Sequence, residues 1–242
     1  LAVSNVGGKS ITTDAGVTIE GADEAILLVS AGTNLRNPGH EELARKRLND
    51  ALGKPFNQIL SDSTTDHASY MDRCKLDLPA GPNAKLPTPE RVRLNEASPD
   101  PSLAALYFQF GRHLIVSSSR PDSQFPSNLQ GIWADEYSTP WRGDFHTNIN
   151  LQMNYWAAGS ANLAECQLPL MRFLEGMAKE GEKTAKAYFN APGWVAYHTQ
   201  NPWFETAPSY LGASAGPTCG AWLVQHVWEQ YQFTQDKEFL KK

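Results

Sequence analysis

Basic charge, cysteine and long apolar runs are all scarce in this sequence. Of its 242 residues, 21 are Lys or Arg and 26 are Asp or Glu, for a formal net charge of -5. No basic run occurs, which argues against a nucleic-acid surface and for a neutral, uncharged ligand. No apolar stretch approaches the ~20 residues that cross a bilayer, so no membrane span is expected. The opening stretch, LAVSNVGGKS, has neither the charged start nor the apolar core of a secretory leader, although a leader already removed would leave no trace. The three cysteines, Cys74, Cys166 and Cys219, are far apart and fit no zinc or disulfide pattern. The six histidines are scattered as well, so neither a metal nor a cofactor is expected.

Tryptophan is present in quantity, and unevenly. All seven lie between Trp133 and Trp228, and the first 132 residues have none. An indole is a flat apolar platform with one donor, suited to the C–H faces of sugar rings. The same residue is more often simply core. The shift in composition marks two regions of different purpose.

The pattern along the chain supports this. Residues 9–31 read as short strands: VTIEG alternates, AILLVSA is an apolar run expected to be buried, and Gly16, Gly21 and Gly32 punctuate them. HEELARKRLNDAL is helical, with Gly53 and Pro55 interrupting, and DHASYMDRCKL is helix-like. DLPAGPNAKLPTPERVRL has the prolines of a linker, which places a boundary near residue 95. From residue 101 the spacing predicts a helix whose core face carries Leu103, Leu106, Tyr107, Phe110 and Leu114, with Arg112 and Arg120 as flanking ion-pair partners. Residues 121–147 and 190–220 read as long loops, which in compact domains are usually functional. Helices are expected over 150–158 and 161–189, the second kinked at Pro169, and again over AWLVQHVWEQYQF, with Leu223, Val227 and Tyr231 on one stripe. Helices alternating with long decorated loops suggest an α/α toroid with its loops gathered on one face.

The stretch HTNINLQMNYW, residues 146–156, clusters amides and aromatics without a carboxylate. In an extended segment, Asn148 and Asn150 would lie on one side with His146 in the same register. Either amide would also serve as a cap for the helix that follows, and on spacing alone capping is the commoner role.

Three longer stretches, LYFQFGRHLIVSSSRPDSQFPSNLQGIW, HTNINLQMNYWAAGSANLAECQLPL and AWLVQHVWEQYQFTQDKEFL, together resemble glycoside hydrolase family 95, the inverting 1,2-α-L-fucosidases. LPTPERV resembles that family's linker, and the likeness runs in unbroken order over roughly residues 60–242. It implies a mainly α chain with a small β part. Residues 1–35 would be the last strands of a β-sandwich domain, 36–95 a helical and Pro-rich linker, and 96–242 the N-terminal part of an (α/α)6 catalytic domain. It also implies release of terminal α-1,2-linked L-fucose from galactose, with inversion and without a metal; some relatives act on α-L-galactosides.

An inverting glycosidase sets an acid and a base ~6.5–9.5 Å apart, with a water between base and sugar. In this family asparagine carbonyls hold that water with help from a distant aspartate, and Asn148 and Asn150 match those positions. An amide oxygen is a poor base, but it fixes a water by accepting its hydrogen bond. His146, Glu205, Trp222 and Trp141 are the expected substrate contacts, Glu205 being a weaker candidate for the acid. Glu229 is expected to be structural. The general-acid glutamate of an SPE-like motif and the base aspartate are expected beyond residue 242. The chain alone is therefore expected to be inactive, a fragment needing the remainder of the enzyme as a separate chain. The resemblance places the protein outside the cell or in the periplasm, acting on a fucosylated oligosaccharide or glycan. The alternatives are a non-catalytic carbohydrate-binding module and a purely structural helical domain. A phosphorylase fits less well, since no basic cluster near the motif would hold phosphate.

Overall fold

The structure is a computed structural model and describes residues 1–209 and 216–241. It is mostly helical with small sheets, and divides into two compact units, Leu1–Ala68 and Ser69–Lys242.

The first unit begins with four strands: β1 (Ala2–Val6), β2 (Lys9–Thr13), β3 (Gly16–Glu20) and β4 (Glu24–Leu28). β2 and β3 form an antiparallel hairpin, while β1 pairs antiparallel with β4, Ser4 opposite Ile26. The chain between β1 and β2 requires glycine. A Cβ on Gly8, at φ +60, would lie 2.2 Å from the Glu20 carbonyl oxygen. The AILLVSA run is not buried as expected. Ile26 and Leu28 are half-buried, whereas Leu27 and Val29 are exposed. The run obeys the period of two of a one-sided sheet rather than the continuous burial of a central strand. Helix α1 (His40–Leu52) stops at Gly53, and α2 (Phe56–Met71) starts after Pro55, so HASYM joins the second helix instead of forming its own.

In the second unit, α3 (Thr88–Leu94) and α4 (Pro101–Ser118) both have Pro in the first turn, where its missing N–H costs nothing. Arg91 and Asp100 form a buried ion pair at 2.8 Å between the two helices. The Ser102 hydroxyl and the Gly81 N–H also donate to that carboxylate, at 2.6 and 3.0 Å. These contacts, with Ser102 foremost, then Gly81 and Arg91, hold the Asp100 carboxyl down at about 2.

α4 is rolled differently from the expected face. Ala105, Arg112, Ile115 and Val116 are buried, whereas Leu106, Tyr107 and Phe110 are exposed, Tyr107 by 78%. Arg112 sets the roll. It is not an ion-pair partner but a clamp on carbonyl oxygens, donating to Tyr70, Met71, Cys74 and Ala161 at 2.7–3.2 Å. A guanidinium carries five donors in a fixed fork, and here it satisfies the open end of α2. The Arg120 guanidinium lies over the Tyr70 ring, 4.9 Å from its centroid.

Further on are α5 (Asn150–Tyr155), a 3-10 turn at Ala164–Gln167 and α6 (Leu168–Phe189). Pro169 therefore sits in the first turn of α6 and starts that helix rather than kinking it. Helices α7 (Cys219–Leu223), α8 (Gln225–Thr234) and α9 (Lys237–Leu240) follow. Leu151, Leu163, Leu170, Met177 and Leu223 form the core, with Tyr155 among them. The Tyr155 hydroxyl is satisfied by Ser119 Oγ at 2.6 Å and the Ser127 N–H at 2.7 Å. The two expected long loops hold one short ladder, β5 (Phe145–His146) against β6 (Thr199–Gln200); residues 210–215 of the second loop lie outside the described residues.

Candidate functional site

The ladder joins the two loops and positions the candidate residues. Phe145 faces Gln200 and His146 faces Thr199. The Thr147 N–H donates to the His198 carbonyl at 2.6 Å, and its hydroxyl is 3.1 Å from the carbonyls of both Tyr197 and His198. Gln152 Nε2, on α5, donates to the Thr147 carbonyl at 2.6 Å. Backbone and side-chain bonds thus fix β5 to β6 and to α5 within a few residues.

Upstream of β5 the chain turns sharply. Trp141, Arg142 and Gly143 have φ values of 56, 58 and 59, three left-handed residues in a row. Two of them are not glycine, and such strain tends to gather at functional sites. The turn is pinned by Asn128, whose Nδ2 donates to the Gly143 carbonyl at 2.7 Å. It leaves the Trp141 indole 71% exposed, with its ring centroid 5.4 Å from that of His146 in an edge contact. The His146 ring also meets that of His198, centroid to centroid 5.6 Å and again edge-on. His146 Nδ1 is hydrogen-bonded to Asp144 Oδ1. Burial, then the neighbouring His146, lower the His198 pKa, with Asp144 opposing them, so His198 is held neutral.

Asn148 and Asn150 occupy a turn and the first residue of α5, not an extended segment, so the expected alternation does not apply to them. The chain has to turn here to enter the helix directly from β5. Neither amide caps α5: the N-cap position is Ile149, and no side chain caps it. Both asparagines are exposed, and neither side chain has a hydrogen bond among the described residues. Two amides with four donors and two acceptors between them are thus available to an external partner.

A cleft of about 730 Å3 lies alongside, lined by Asn128, Arg142, Asp144, Gln200, Trp203 and Glu205 among others. Asn201 shapes one wall. Its Oδ1 accepts from the Trp203 and Glu205 N–H groups at 3.0 and 3.3 Å, and its Nδ2 donates to Glu205 Oε2 at 2.8 Å. Phe204, left-handed at φ 61, points the opposite way, its ring 5.3 Å from that of Phe173 on α6.

The structure therefore brings His146 and Trp141 together and sets Glu205 in the adjoining cleft. Of the expected site residues only Glu205 lines that cleft; Trp141, His146, Asn148 and Asn150 do not. Trp222 lies on α7, partly exposed, with no ring contact among the described residues. Glu229, expected to be structural, pairs with the buried His226 at 3.3 Å. Sequence reasoning passed over Asp144, His198 and Asn201. Asp144 carried a signal, since an Asp two residues before a His in an extended segment shares its side. His198 carried none, because only strand pairing brings it near His146.

Two of the three cysteines are poorly suited to act as nucleophiles. Burial pushes Cys166 up to about 12 and also raises Cys219. Among the described residues no group of three or more His, Cys, Asp or Glu could hold a metal ion. The region offers amides, an imidazole, the Asp144 and Glu205 carboxylates, the Arg142 guanidinium and exposed indoles, a set suited to a ligand with many hydroxyl groups.

Comparison with known proteins gives the same direction. The family model of the glycosyl hydrolase family 95 catalytic domain matches residues 55–242. Alpha-L-fucosidase 2 of Arabidopsis thaliana is 38% identical over 99% of this chain and 30% of its own length. Probable alpha-fucosidase A of Aspergillus niger is 34% identical over 98% of the chain and 32% of its own length. The Aspergillus oryzae protein of the same name is 30% identical over 95% of the chain and 36% of its length. The chain thus spans about a third of the length of the curated relatives it matches.

Proposed function

Since the chain belongs to glycosyl hydrolase family 95, we propose that it is part of an α-L-fucosidase that removes terminal α-1,2-linked L-fucose from galactose with inversion. Its helices are then the first part of an (α/α)6 catalytic domain, and its strands the end of a β-sandwich. The observation that carries the reading is the pair of exposed amides, Asn148 and Asn150, which make no hydrogen bond among the described residues and lie inside the matched region, two and four residues after His146.

In this reading the two amide oxygens accept hydrogen bonds from one water and fix its lone pair along the line of attack. The water adds to the anomeric carbon on the face opposite the leaving galactose oxygen, and its proton passes to the distant base aspartate that the resemblance implies, because an amide oxygen can orient the water but not keep its proton. Holding reactants in line in this way substitutes for entropy otherwise lost in the transition state. His146 and Glu205 contact sugar hydroxyls, and Trp141 offers the sugar an apolar face. Trp222 serves as a second platform. Glu205 is exposed and tied to Asn201, so proton donation is assigned instead to a glutamate in the part of the relatives' length that this chain does not span. By the same resemblance the substrate is a glycan outside the cytoplasm.

The test is an assay of the natural protein on 2-fucosylated lactose, with the anomer of the first-released fucose read by NMR. Inversion of an α-linkage yields β-L-fucose first. Release of the α-anomer first would sink the mechanism. Binding of the fucoside without release would make the protein a carbohydrate-binding module, and no binding at all a structural domain.

A further inference from the structure

We propose that Asp144 is a positioning residue for the site. Its carboxylate accepts the Nδ1–H of His146, fixing the ring and leaving Nε2 as the acceptor for a ligand hydroxyl. This rests on the reading of His146 as a substrate contact.

The geometry of both partners supports it. Asp144 has extended backbone, φ -75 and ψ -173, so its side chain and that of His146 share one side of the strand. Its backbone is held at both ends: its N–H donates to the Trp141 carbonyl at 3.3 Å, and its carbonyl accepts from the Leu129 N–H at 3.1 Å. The carboxylate is therefore a fixed point, anchored by the strained 141–143 turn and by the loop before it. The imidazole it meets also contacts the Trp141 and His198 rings edge-on, at centroid distances of 5.4 and 5.6 Å. A hydrogen bond at Nδ1 adds a directional constraint on the ring that those apolar contacts do not supply.

An Asp–His pair is often no more than a buried structural contact. This one is not sealed into the core. The two side chains are 16% and 14% exposed, and Asp144 lines the cleft. The second ring nitrogen, Nε2, makes no hydrogen bond among the described residues. Which imidazole nitrogen carries the proton is set by the hydrogen bond the other makes. With Nδ1–H given to a carboxylate, Nε2 holds a lone pair, and the contact it offers is to a hydroxyl that donates.

The experiment uses the natural protein, with Asp144→Asn and Asp144→Glu each made in the native and in the His146→Ala background. Expected is a fall in kcat/KM on 2-fucosylated lactose for Asp144→Asn on the order of 10–100-fold, as for carboxylate partners of ligating histidines. The fall should shrink to within about 3-fold once His146 is Ala, because the two act as one unit. Asp144→Glu should recover part of the loss. An equal fall in both backgrounds overturns the proposal. A neutron structure of the natural protein decides independently of turnover: a deuteron on His146 Nδ1 with none on Nε2 supports it, and a deuteron on Nε2, alone or with one on Nδ1, overturns it. That measurement also covers an Asn variant that does not fold. If the natural protein releases no fucose, the fucosidase reading fails, while the neutron map still tests the pair.

Discussion

Asn148 and Asn150 illustrate how a residue's surroundings divide stability from function. Both side chains are exposed and make no hydrogen bond among the described residues. Removing either amide should leave the melting temperature of the natural protein within about 1–2 °C, since surface changes away from caps and networks rarely exceed ~0.5 kcal/mol. The same substitutions should lower kcat by at least about 10²-fold, the scale of misplacing a reactant by an ångström. Asn148→Ala and Asn150→Ala, measured by thermal scan and by fucose release, test both halves. A large drop in melting temperature with kcat intact would assign the amides to the fold instead. His146 differs from them, because its ring is held by Asp144, Trp141 and His198 before any ligand arrives.

At the scale of elements, the 201–205 turn depends on a glycine in α6. A Cβ on Gly176 would lie 2.2 Å from the Phe204 ring, far inside contact distance. Gly176→Ala should push that ring outward and with it the turn bearing Trp203 and Glu205. Overpacking of this kind costs about 1–3 kcal/mol. The expected outcome is a several-fold higher KM for the fucoside with a lowered melting temperature. An unchanged KM would detach the turn from substrate binding.

The elements differ in how far the sequence specified them. The helix starts and stops at Gly53, Pro55 and Pro101 were readable, because these residues act through their own backbone restrictions. The roll of α4 was not, because hydrophobic spacing gave Leu106, Tyr107 and Phe110 to the core, while the carbonyls that capture Arg112 come from residues 38 to 49 positions away. The candidate site divides in the same way. His146, its asparagines and Glu205 stood out as residue types, but the pairing of β5 with β6, which sets His198 against His146, depends on a contact between loops about 50 residues apart.

At the scale of the molecule, stability should fall in two stages as pH drops. Burial lowers the pKa values of His198 and His226, so each is neutral in the fold and binds its proton more readily when unfolded. Their contribution is complete above the unfolded value of about 6.5 and declines as pH falls through their lower folded values. Asp100, held at about 2, behaves as a carboxylate with a depressed pKa. Its contribution is complete above about 3.9 and is lost as pH falls toward its folded value. A melting-temperature profile of the natural protein from pH 8 to pH 2 should bend at both places. Asp100→Asn should flatten only the lower bend.

The Arg112 clamp sets a clock on the newborn chain. Three of its carbonyl partners, at Tyr70, Met71 and Cys74, precede it, but the fourth, Ala161, follows 49 residues later. At the ~5–20 residues per second of synthesis, the guanidinium waits roughly 2 to 10 s for its last acceptor. Through that interval the Arg112 clamp holds the end of α2 but has yet to tie it to the chain at Ala161.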